Sequence, residues 1–431
     1  MRLTANVGLG TLFKMKKVLK RLIFICFFLS LGVASAAMID ALLLSPEETV
    51  LQPLRYILMP REARMEDALE TVDNAPAPEP LVNLDIMTDL MQVLPYVPIT
   101  DNSEQTSQFE LPVIGATGWA AAAVPMREES RSDSQIILDL PAGQGFTIVQ
   151  EQGNWWQVQL SDGMLGWIEH VGCFINLPDV IPSIIYDITN AYSSLKRSIG
   201  LEIPNITGRA LYEAWAFNPR LDKSEFIVPI YYSTGKKLFE VQQAALADGN
   251  TIIVYEAYRP RQTQSSVSGN LRDLAASNAD VNNAINSPPW NISWFIATSI
   301  SHHQRAAAID ASLARVFSHE VKVVGDFEYT GIVGFEEYPM PTAMHELSPR
   351  AAIVRSPMSL GSPDAWRNAA LADTVTDGAI LLQRYFIDAG FSPLASEWWH
   401  FSDTAGNRTA SARGINGDFF TETVYSAIPR Y

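Results

Sequence analysis

The sequence is short of basic charge, and this shortage argues against several classes of partner. Its 431 residues include 31 Lys or Arg against 47 Asp or Glu, which gives a formal net charge of −16 at pH 7. Nucleic-acid binding needs a cationic surface that neutralises phosphates, so we expect no nucleic-acid partner. The same charge argues against simple electrostatic adsorption to an anionic envelope. Any attachment to such a surface must therefore use shaped pockets.

Cysteine is almost absent, because the chain contains only Cys26 and Cys173. We expect Cys26 to leave with an export signal, so Cys173 has no partner for an internal disulfide. Cys173 lies in a strand-like segment, residues 170–174, which favours a buried free thiol over a catalytic one. The stability of the protein must then come from its core and from a bound metal.

A long apolar run at the N-terminus is also missing. The apolar residues 22–33 are too few to span a bilayer comfortably. A basic cluster at 14–21 precedes them and the small residues 34–36 follow, an order typical of a cleavable secretory signal. We therefore predict a signal peptide over residues 1–36 and no stable membrane insertion after its cleavage. The mature protein is expected to be exported, either periplasmic or secreted and associated with the cell wall.

The remaining chain is too long for one ordinary core, which predicts two folded units. Residues 37–111 are acidic and interrupted by proline, so we interpret them as a spacer. Residues 112–176 contain short strand patterns separated by turns. Residues 177–431 mix strand and helix patterns, which predicts an α+β domain. Within it, residues 251–255 form a β-branched run typical of a buried strand, and residues 374–389 have helical periodicity that ends at Gly390.

Tryptophan marks the strand-rich region. The sequence Trp-Trp-x-Val at 155–158 and the sequence Gly-Trp-Ile at 166–168 stand between glycine-containing turns. This order resembles a bacterial SH3 domain, and the resemblance implies a small all-β SH3-like barrel. Its aromatic residues are candidates for a groove that binds a wall peptide or a partner. For Trp156 and Trp167 we favour the simpler interpretation that they fill the core.

Residues capable of zinc chemistry lie in three short segments of the second domain. His303, Asp310 and His400 supply imidazole and carboxylate groups, and a catalytic zinc site uses three such ligands and leaves a fourth position for water. Glu397 lies three residues before His400 and can act as a general base. Arg259 follows the predicted strand, where a fixed guanidinium can stabilise an oxyanion. The conjunction of these segments predicts a metal site, although each segment alone is a weak signal.

The three segments resemble those of the VanX/VanY family of zinc D-Ala-D-Ala peptidases. The matching stretches are residues 301–310, the Glu-Trp-Trp-His of 397–400 and the Tyr-Arg-Pro of 258–260. The resemblance implies a mainly antiparallel sheet and a Zn²⁺ cofactor. It assigns the roles as follows: His303, Asp310 and His400 as zinc ligands, Glu397 as catalytic base, Arg259 as the transition-state arginine, and Ser301 and Tyr258 as substrate-binding residues. His303 rather than His302 fits as ligand, because it lies seven residues before Asp310.

Several positions depart from the family pattern. Ala306 stands where the family has glycine, and alanine adopts a positive φ less easily. Residues 339–346 resemble the segment whose aspartate holds the substrate's free ammonium, and His345 occupies that position with Glu346 beside it. We retain His345 as a substrate-binding candidate, but a histidine is a poorer partner for ammonium, which argues against strict preference for a free dipeptide. The interval between Asp310 and Glu397 also predicts an added loop near the cleft.

These observations predict an exported zinc metallopeptidase that acts on peptidoglycan peptides. The bond cut is D-Ala-D-Ala or a related D-amino-acid bond, in a dipeptide or at the end of a stem peptide. One alternative is an L,D-peptidase or endopeptidase that cuts crosslinks, with the SH3-like domain as a tether. A second alternative is a non-catalytic wall-binding protein. A cysteine peptidase fits least, because Cys173 has no histidine at a recognisable spacing after it.

Overall fold

The computed structural model describes residues 109–421 and 423–429. The predicted signal peptide, residues 1–36, and almost all of the predicted spacer, residues 37–111, lie outside these residues. Within the described part of the chain, no helix combines the length and apolar character needed to cross a membrane.

The first part of the described chain consists of short antiparallel strands. They belong to an eight-stranded sheet with the linear strand order β13-β7-β1-β4-β5-β6-β2-β3. This arrangement confirms the predicted strand-rich SH3-like region. The first seven strands are β1 (Thr117–Ala120), β2 (Val124–Arg127), β3 (Ile136–Leu140), β4 (Gly145–Gln152), β5 (Trp155–Gln159), β6 (Leu165–Glu169) and β7 (Cys173–Asn176).

The predicted tryptophan strand is β5, and it follows a tight turn in which Gly153 has a φ of 58°. Trp156 is fully buried, and its ring lies 4.6 Å from that of Tyr232, measured between centroids. It therefore fills the core, as predicted, whereas Trp167 is only partly buried. Cys173 is a buried free thiol, which also agrees with the prediction.

The second part of the chain is an α+β unit built on a six-stranded sheet. Its strand order is β17-β18-β15-β14-β8, and β16 pairs with β15 outside this path. Only β14 and β8 are parallel, so the predicted mainly antiparallel sheet is confirmed. The strands of this part of the chain, within and outside the six-stranded sheet, are β8 (Ile185–Tyr186), β9 (Arg197–Ser198), β10 (Leu201–Glu202), β11 (Trp215–Asn218), β12 (Lys223–Phe226), β13 (Pro229–Tyr231), β14 (Asn250–Glu256), β15 (Ala308–Val324), β16 (Phe327–Glu337), β17 (Ser392–Leu394) and β18 (Glu397–Ser402).

Helices pack against this sheet, and the sequence predicted one of them. The predicted helix at 374–389 is observed over Asp377–Asp388, and it starts later because the Thr376 hydroxyl caps it by accepting from Ala379 N. It ends before Gly390, which has a φ of 82°. The helices are α1 (Leu177–Val180), α2 (Thr189–Tyr192), α3 (Tyr232–Ala247), α4 (Arg261–Ser277), α5 (Ala279–Asn286), α6 (Pro363–Arg367), α7 (Asp377–Asp388) and α8 (Thr404–Ala412).

The interval between Asp310 and Glu397 contains a long hairpin. β15 and β16 pair from Ala314↔Glu337 to Val324↔Phe327, well beyond the part of β15 that lies in the core. Phe317, Val321 and Val323 are exposed on this hairpin. The hairpin accounts for much of the length that the sequence assigns to an added loop.

The two parts share one sheet and one core. β7 pairs with β1 on one side and with β13, from the second part, on the other. The carboxylate of Asp179, just after β7, accepts from Thr117 N at 2.8 Å and from Asn218 Nδ2 at 2.7 Å. The C-terminal segment returns to the first part, where Ala427 N donates to Gly115 O at 2.7 Å. The SH3-like region is therefore packed into the protein rather than attached by a loose linker.

Candidate metal centre

Two adjacent strands and a 3₁₀ turn bring together the side chains of the predicted metal site. Asp310 on β15 and His400 on β18 are direct register partners, and such pairs place their side chains on the same face of a sheet. His303 lies on the turn His302–Arg305, which leads into β15. A backbone hydrogen bond from Arg259 N to His303 O, 3.1 Å long, fixes this turn beside the end of β14.

The three side chains converge on one point. His303 Nε2 lies 3.1 Å from His400 Nδ1 and 3.2 Å from Asp310 Oδ1, and the latter two atoms are 2.9 Å apart. Three ligands about 2.0–2.2 Å from a tetrahedral zinc ion would lie about 3.4 Å from one another. The donor atoms therefore need to separate by only a few tenths of an ångström to hold such an ion. These two imidazoles and one carboxylate fit zinc in chemistry and in geometry.

Hydrogen bonds on the far side of each imidazole orient its ring. His303 Nδ1 lies 2.7 Å from Ala257 O, which can only accept, so this nitrogen donates and Nε2 keeps its lone pair for a metal. His400 Nε2 lies 3.0 Å from the Ser402 hydroxyl, which leaves Nδ1 facing the other two ligands. Partners of this kind set the tautomer and basicity of metal-ligating histidines.

The second oxygen of Asp310 is also held. Arg259 Nη2 lies 3.2 Å from Asp310 Oδ2, and His345 Nε2 lies 3.0 Å from the same atom. Burial acts to raise the pKa of Asp310, but the neighbouring His303 and the hydrogen bonds from the surrounding imidazoles hold it well below its usual range. Asp310 is therefore a carboxylate whose two oxygens face different partners.

Glu397 lies at the start of β18, beside the three ligands but not among them. Its Oε2 is 3.9 Å from His400 Nδ1, and the residue is buried. Burial, with the neighbouring charge of Asp310, raises the pKa of Glu397 to about 8. A carboxylate with this environment can both accept and release a proton near neutral pH.

Next to the three candidate metal ligands lies a buried network of charged side chains. Arg259 pairs with Glu256 through Nη2, and its Nη1 donates to Gln264 Oε1 at 2.8 Å. Lys196 Nζ lies 3.7 Å from Glu256 Oε2, and Asn190 Nδ2 donates to the same oxygen at 3.0 Å. Burial acts to raise the pKa of Glu256, but the two cations hold it well below its usual range. Burial and the neighbouring Arg259 charge lower the pKa of Lys196 to about 8.

A cavity of about 310 Å³ opens onto these groups. His303, Asp310, His400, Glu397 and Arg259 all line it. Its apolar walls come from side chains that exclude water from the charged groups, which strengthens electrostatic interactions there. These apolar side chains include Trp294, Phe295, Ile300, Leu347 and Trp399.

The predicted substrate-binding residues have different positions. Ser301 and His345 line the cavity, although His345 Nε2 is directed at Asp310 Oδ2. Tyr258 is not among the residues that line it, because its ring stacks on Phe419 with centroids 5.0 Å apart and its hydroxyl donates to Phe419 O at 2.6 Å. The structure therefore places Tyr258 in a neighbouring core cluster.

Sequence reasoning did not identify Lys196, Gln264 or Ser402. Ser402 lies two residues after His400 on a strand, so it shares a face with that ligand, and this spacing was a usable signal. Lys196 precedes the short strand β9 in a part of the chain with little regular structure. No sequence pattern marks it.

Ala306 follows the turn that carries His303 and has a left-handed backbone, with φ of 50° and ψ of 31°. The turn therefore keeps the conformation that favours glycine, and alanine adopts it at a modest energetic cost.

Comparisons with known families find matches in two regions of the chain. Residues 115–172 match the model of the bacterial SH3 domain, and residues 227–415 match the model described as D-ala-D-ala dipeptidase, a peptidase family. The second match contains the three candidate metal ligands and Glu397. No curated protein matches the sequence. The chain therefore has a region that matches the bacterial SH3 domain, followed by a region that matches the D-ala-D-ala dipeptidase family.

Proposed function

We propose that this protein is an exported zinc metallopeptidase that hydrolyses D-Ala-D-Ala or related D-amino-acid bonds in peptidoglycan peptides. The observation that carries the proposal is the convergence of His303 Nε2, Asp310 Oδ1 and His400 Nδ1 within 3.2 Å of one another. The match to the D-ala-D-ala dipeptidase family supports the substrate class. Export is supported by the sequence features of residues 1–36, which resemble a secretory signal.

The three ligands and Glu397 have separate roles in this proposal. When bound, a zinc ion would lower the pKa of a water molecule in its open position and polarise the substrate's carbonyl group. Glu397 takes a proton from the attacking water at its carboxylate and passes it to the departing amine. Asp310 and the two histidines keep their orientation through Arg259, Ala257 O and Ser402.

Arg259 has the position expected of a residue that stabilises negative charge on the carbonyl oxygen. It lines the cavity, and its Nη atoms are fixed by Glu256, Asp310 and Gln264. A guanidinium held in this way needs no reorganisation when charge develops in the transition state. Its Nε has no hydrogen-bond partner in the described part of the chain, so one donor remains for a ligand.

Cleavage of crosslinked wall peptides is the second candidate. It is favoured by the junction between β7 and β13, which holds the SH3-like region at a fixed place next to the peptidase domain. A polymer strand bound by the SH3-like region would then reach the cavity from a defined direction. Mass spectrometry of the products from D-Ala-D-Ala, a stem pentapeptide and a crosslinked muropeptide separates the two candidates.

The same experiment tests the proposal as a whole. We expect release of D-alanine from at least one of the uncrosslinked substrates, loss of that activity with a chelator and recovery on addition of zinc. Cleavage of the crosslinked substrate alone would favour the second candidate. Absence of zinc-dependent cleavage of all three substrates would contradict the peptidase proposal.

A further inference from the structure

Lys196 is a buried cation at the wall of the cavity. Its side chain is 1% exposed, and it lines the same cavity as Glu397 and the metal-binding residues. Two hydrogen bonds to Lys196 O, one from Ile203 N and one from the Thr207 hydroxyl, fix the segment that carries it. A charged ammonium in such a place requires compensation, because burial without a close partner is costly.

The protein itself provides only weak compensation. In the described residues, the one ion pair of Lys196 Nζ is to Glu256 Oε2 at 3.7 Å, longer than a normal hydrogen bond. The same oxygen already accepts from Arg259 and from Asn190 Nδ2. An ammonium has three donors, so Lys196 keeps hydrogen-bonding capacity that these contacts do not use.

The carboxylates of the cavity are committed elsewhere. Of the residues that line it, only Asp310 and Glu397 are acidic. Asp310 faces the two histidine ligands through Oδ1 and faces Arg259 and His345 through Oδ2. Glu397 is the proposed base. Among the described residues that line the cavity, no further acidic side chain is available to hold a substrate ammonium, whereas Lys196 keeps donors for a substrate carboxylate.

We propose that Lys196 binds a free carboxylate of the substrate close to the scissile bond and selects substrates that carry one. This inference rests on the proposed peptidase function and narrows its substrate class. The ligand is either the C-terminal carboxylate of the departing D-amino acid or a carboxylate within the stem peptide. A free α-ammonium next to the scissile bond finds no available acidic partner among the described residues that line the cavity. N-acylated peptides are therefore preferred over the free dipeptide.

Binding measurements that do not require turnover test this proposal. The zinc-loaded Glu397→Gln variant is titrated by calorimetry with N-acetyl-D-Ala-D-Ala and with its C-terminal carboxamide. A second pair consists of stem pentapeptides with internal carboxylates free or amidated. We expect the free carboxylate to bind about tenfold to a hundredfold more tightly in one of the two pairs, the range typical of a charged hydrogen bond. The pair that responds identifies the carboxylate.

The same titrations are repeated with Lys196→Met and Lys196→Arg in the Glu397→Gln background. We expect Lys196→Met to abolish the preference and Lys196→Arg to keep most of it. Glu256 retains Arg259 and Asn190 as partners in either variant, and circular dichroism verifies the fold. If Lys196→Met does not fold, Lys196→Gln replaces it, with the same loss of preference expected.

Two results would overturn the inference: equal affinity within both pairs, or a preference that survives the loss of the ammonium. Either would mean that Lys196 only balances the charge of Glu256. Failure of the peptidase proposal has a different signature, since wild-type protein would then cut none of the substrates while the affinities still report on Lys196.

Discussion

Replacement of Glu397 by glutamine separates catalysis from metal binding. The carboxylate lies 3.9 Å from His400 Nδ1 and forms no ion pair with a Lys or Arg side chain in the described residues. Glutamine has nearly the same shape, so Glu397→Gln should leave the fold and the three ligand positions unchanged. Removal of a general base typically slows a reaction by about 10²- to 10⁴-fold. This corresponds to about 2.7–5.5 kcal/mol of transition-state stabilisation.

The assay measures kcat/KM on the best substrate together with the zinc content of the same sample. We expect one zinc per chain in Glu397→Gln and a kcat/KM reduced at least a hundredfold. Glu336→Gln, on the exposed β15–β16 hairpin, serves as a matched control and should retain full activity. A Glu397→Gln variant that keeps its zinc and cuts within threefold of the wild-type rate would refute the assigned role of the base.

Three further predictions concern stability and reactivity. Asp179→Ala removes the acceptor of two buried hydrogen bonds at the junction of the two parts. Urea denaturation should therefore show a loss of about 3 kcal/mol in unfolding free energy. A loss below about 1 kcal/mol would contradict this role of Asp179. Ala306→Val places a β-branched residue at a φ of 50°, so the unfolding free energy of this variant should fall by about 2 kcal/mol or more. Ala306→Gly should change the unfolding free energy by less than about 1 kcal/mol. Equal effects of the two substitutions would argue against backbone strain at this position. Burial raises the pKa of the Cys173 thiol above its usual range. A maleimide should therefore label this thiol only after the protein unfolds. Rapid labelling of the native protein would contradict the burial of Cys173.

Regular periodicity made much of the fold predictable. The β-branched run at 251–255 became β14, every residue of which is buried, because such side chains suit a strand covered on both faces. The helix at 374–389 was predictable for a similar reason, since Ala379, Leu382 and Phe386 recur on one face and are all buried. The helix starts later than predicted because the Thr376 side chain caps its first turn. The periodicity of apolar residues carries no information about such a cap.

The candidate site was predictable to the extent that its residues lie in recognisable short segments. His303, Asp310 and His400 stand in such segments, and β15 and β18 pair so that two of them are opposite each other. Tyr258 shares a segment with Arg259, but its ring packs against Phe419 and its hydroxyl donates to Phe419 O. Proximity in sequence therefore did not determine which side chain reaches the cavity.

Contacts between residues that are distant in sequence could not be predicted from local sequence patterns. Lys196 reaches the cavity from an irregular part of the chain, and its partner Glu256 is distant in sequence. The pairing of β7 with β1 and with β13 also depends on long-range contacts. The sequence analysis instead placed a domain boundary between residues 176 and 177, at the end of β7. The hairpin of β15 and β16 appeared in the sequence only as additional length.

The most direct test of the central claim is the zinc stoichiometry of the purified protein and of its ligand variants, measured by inductively coupled plasma mass spectrometry after dialysis. We predict one zinc ion per chain in the wild type and in the neighbouring control His302→Ala. His303→Ala, Asp310→Ala and His400→Ala should each lose most of the bound zinc while remaining folded. Retention of one zinc per chain in a variant that lacks all three side chains would contradict the claim that they form the metal site.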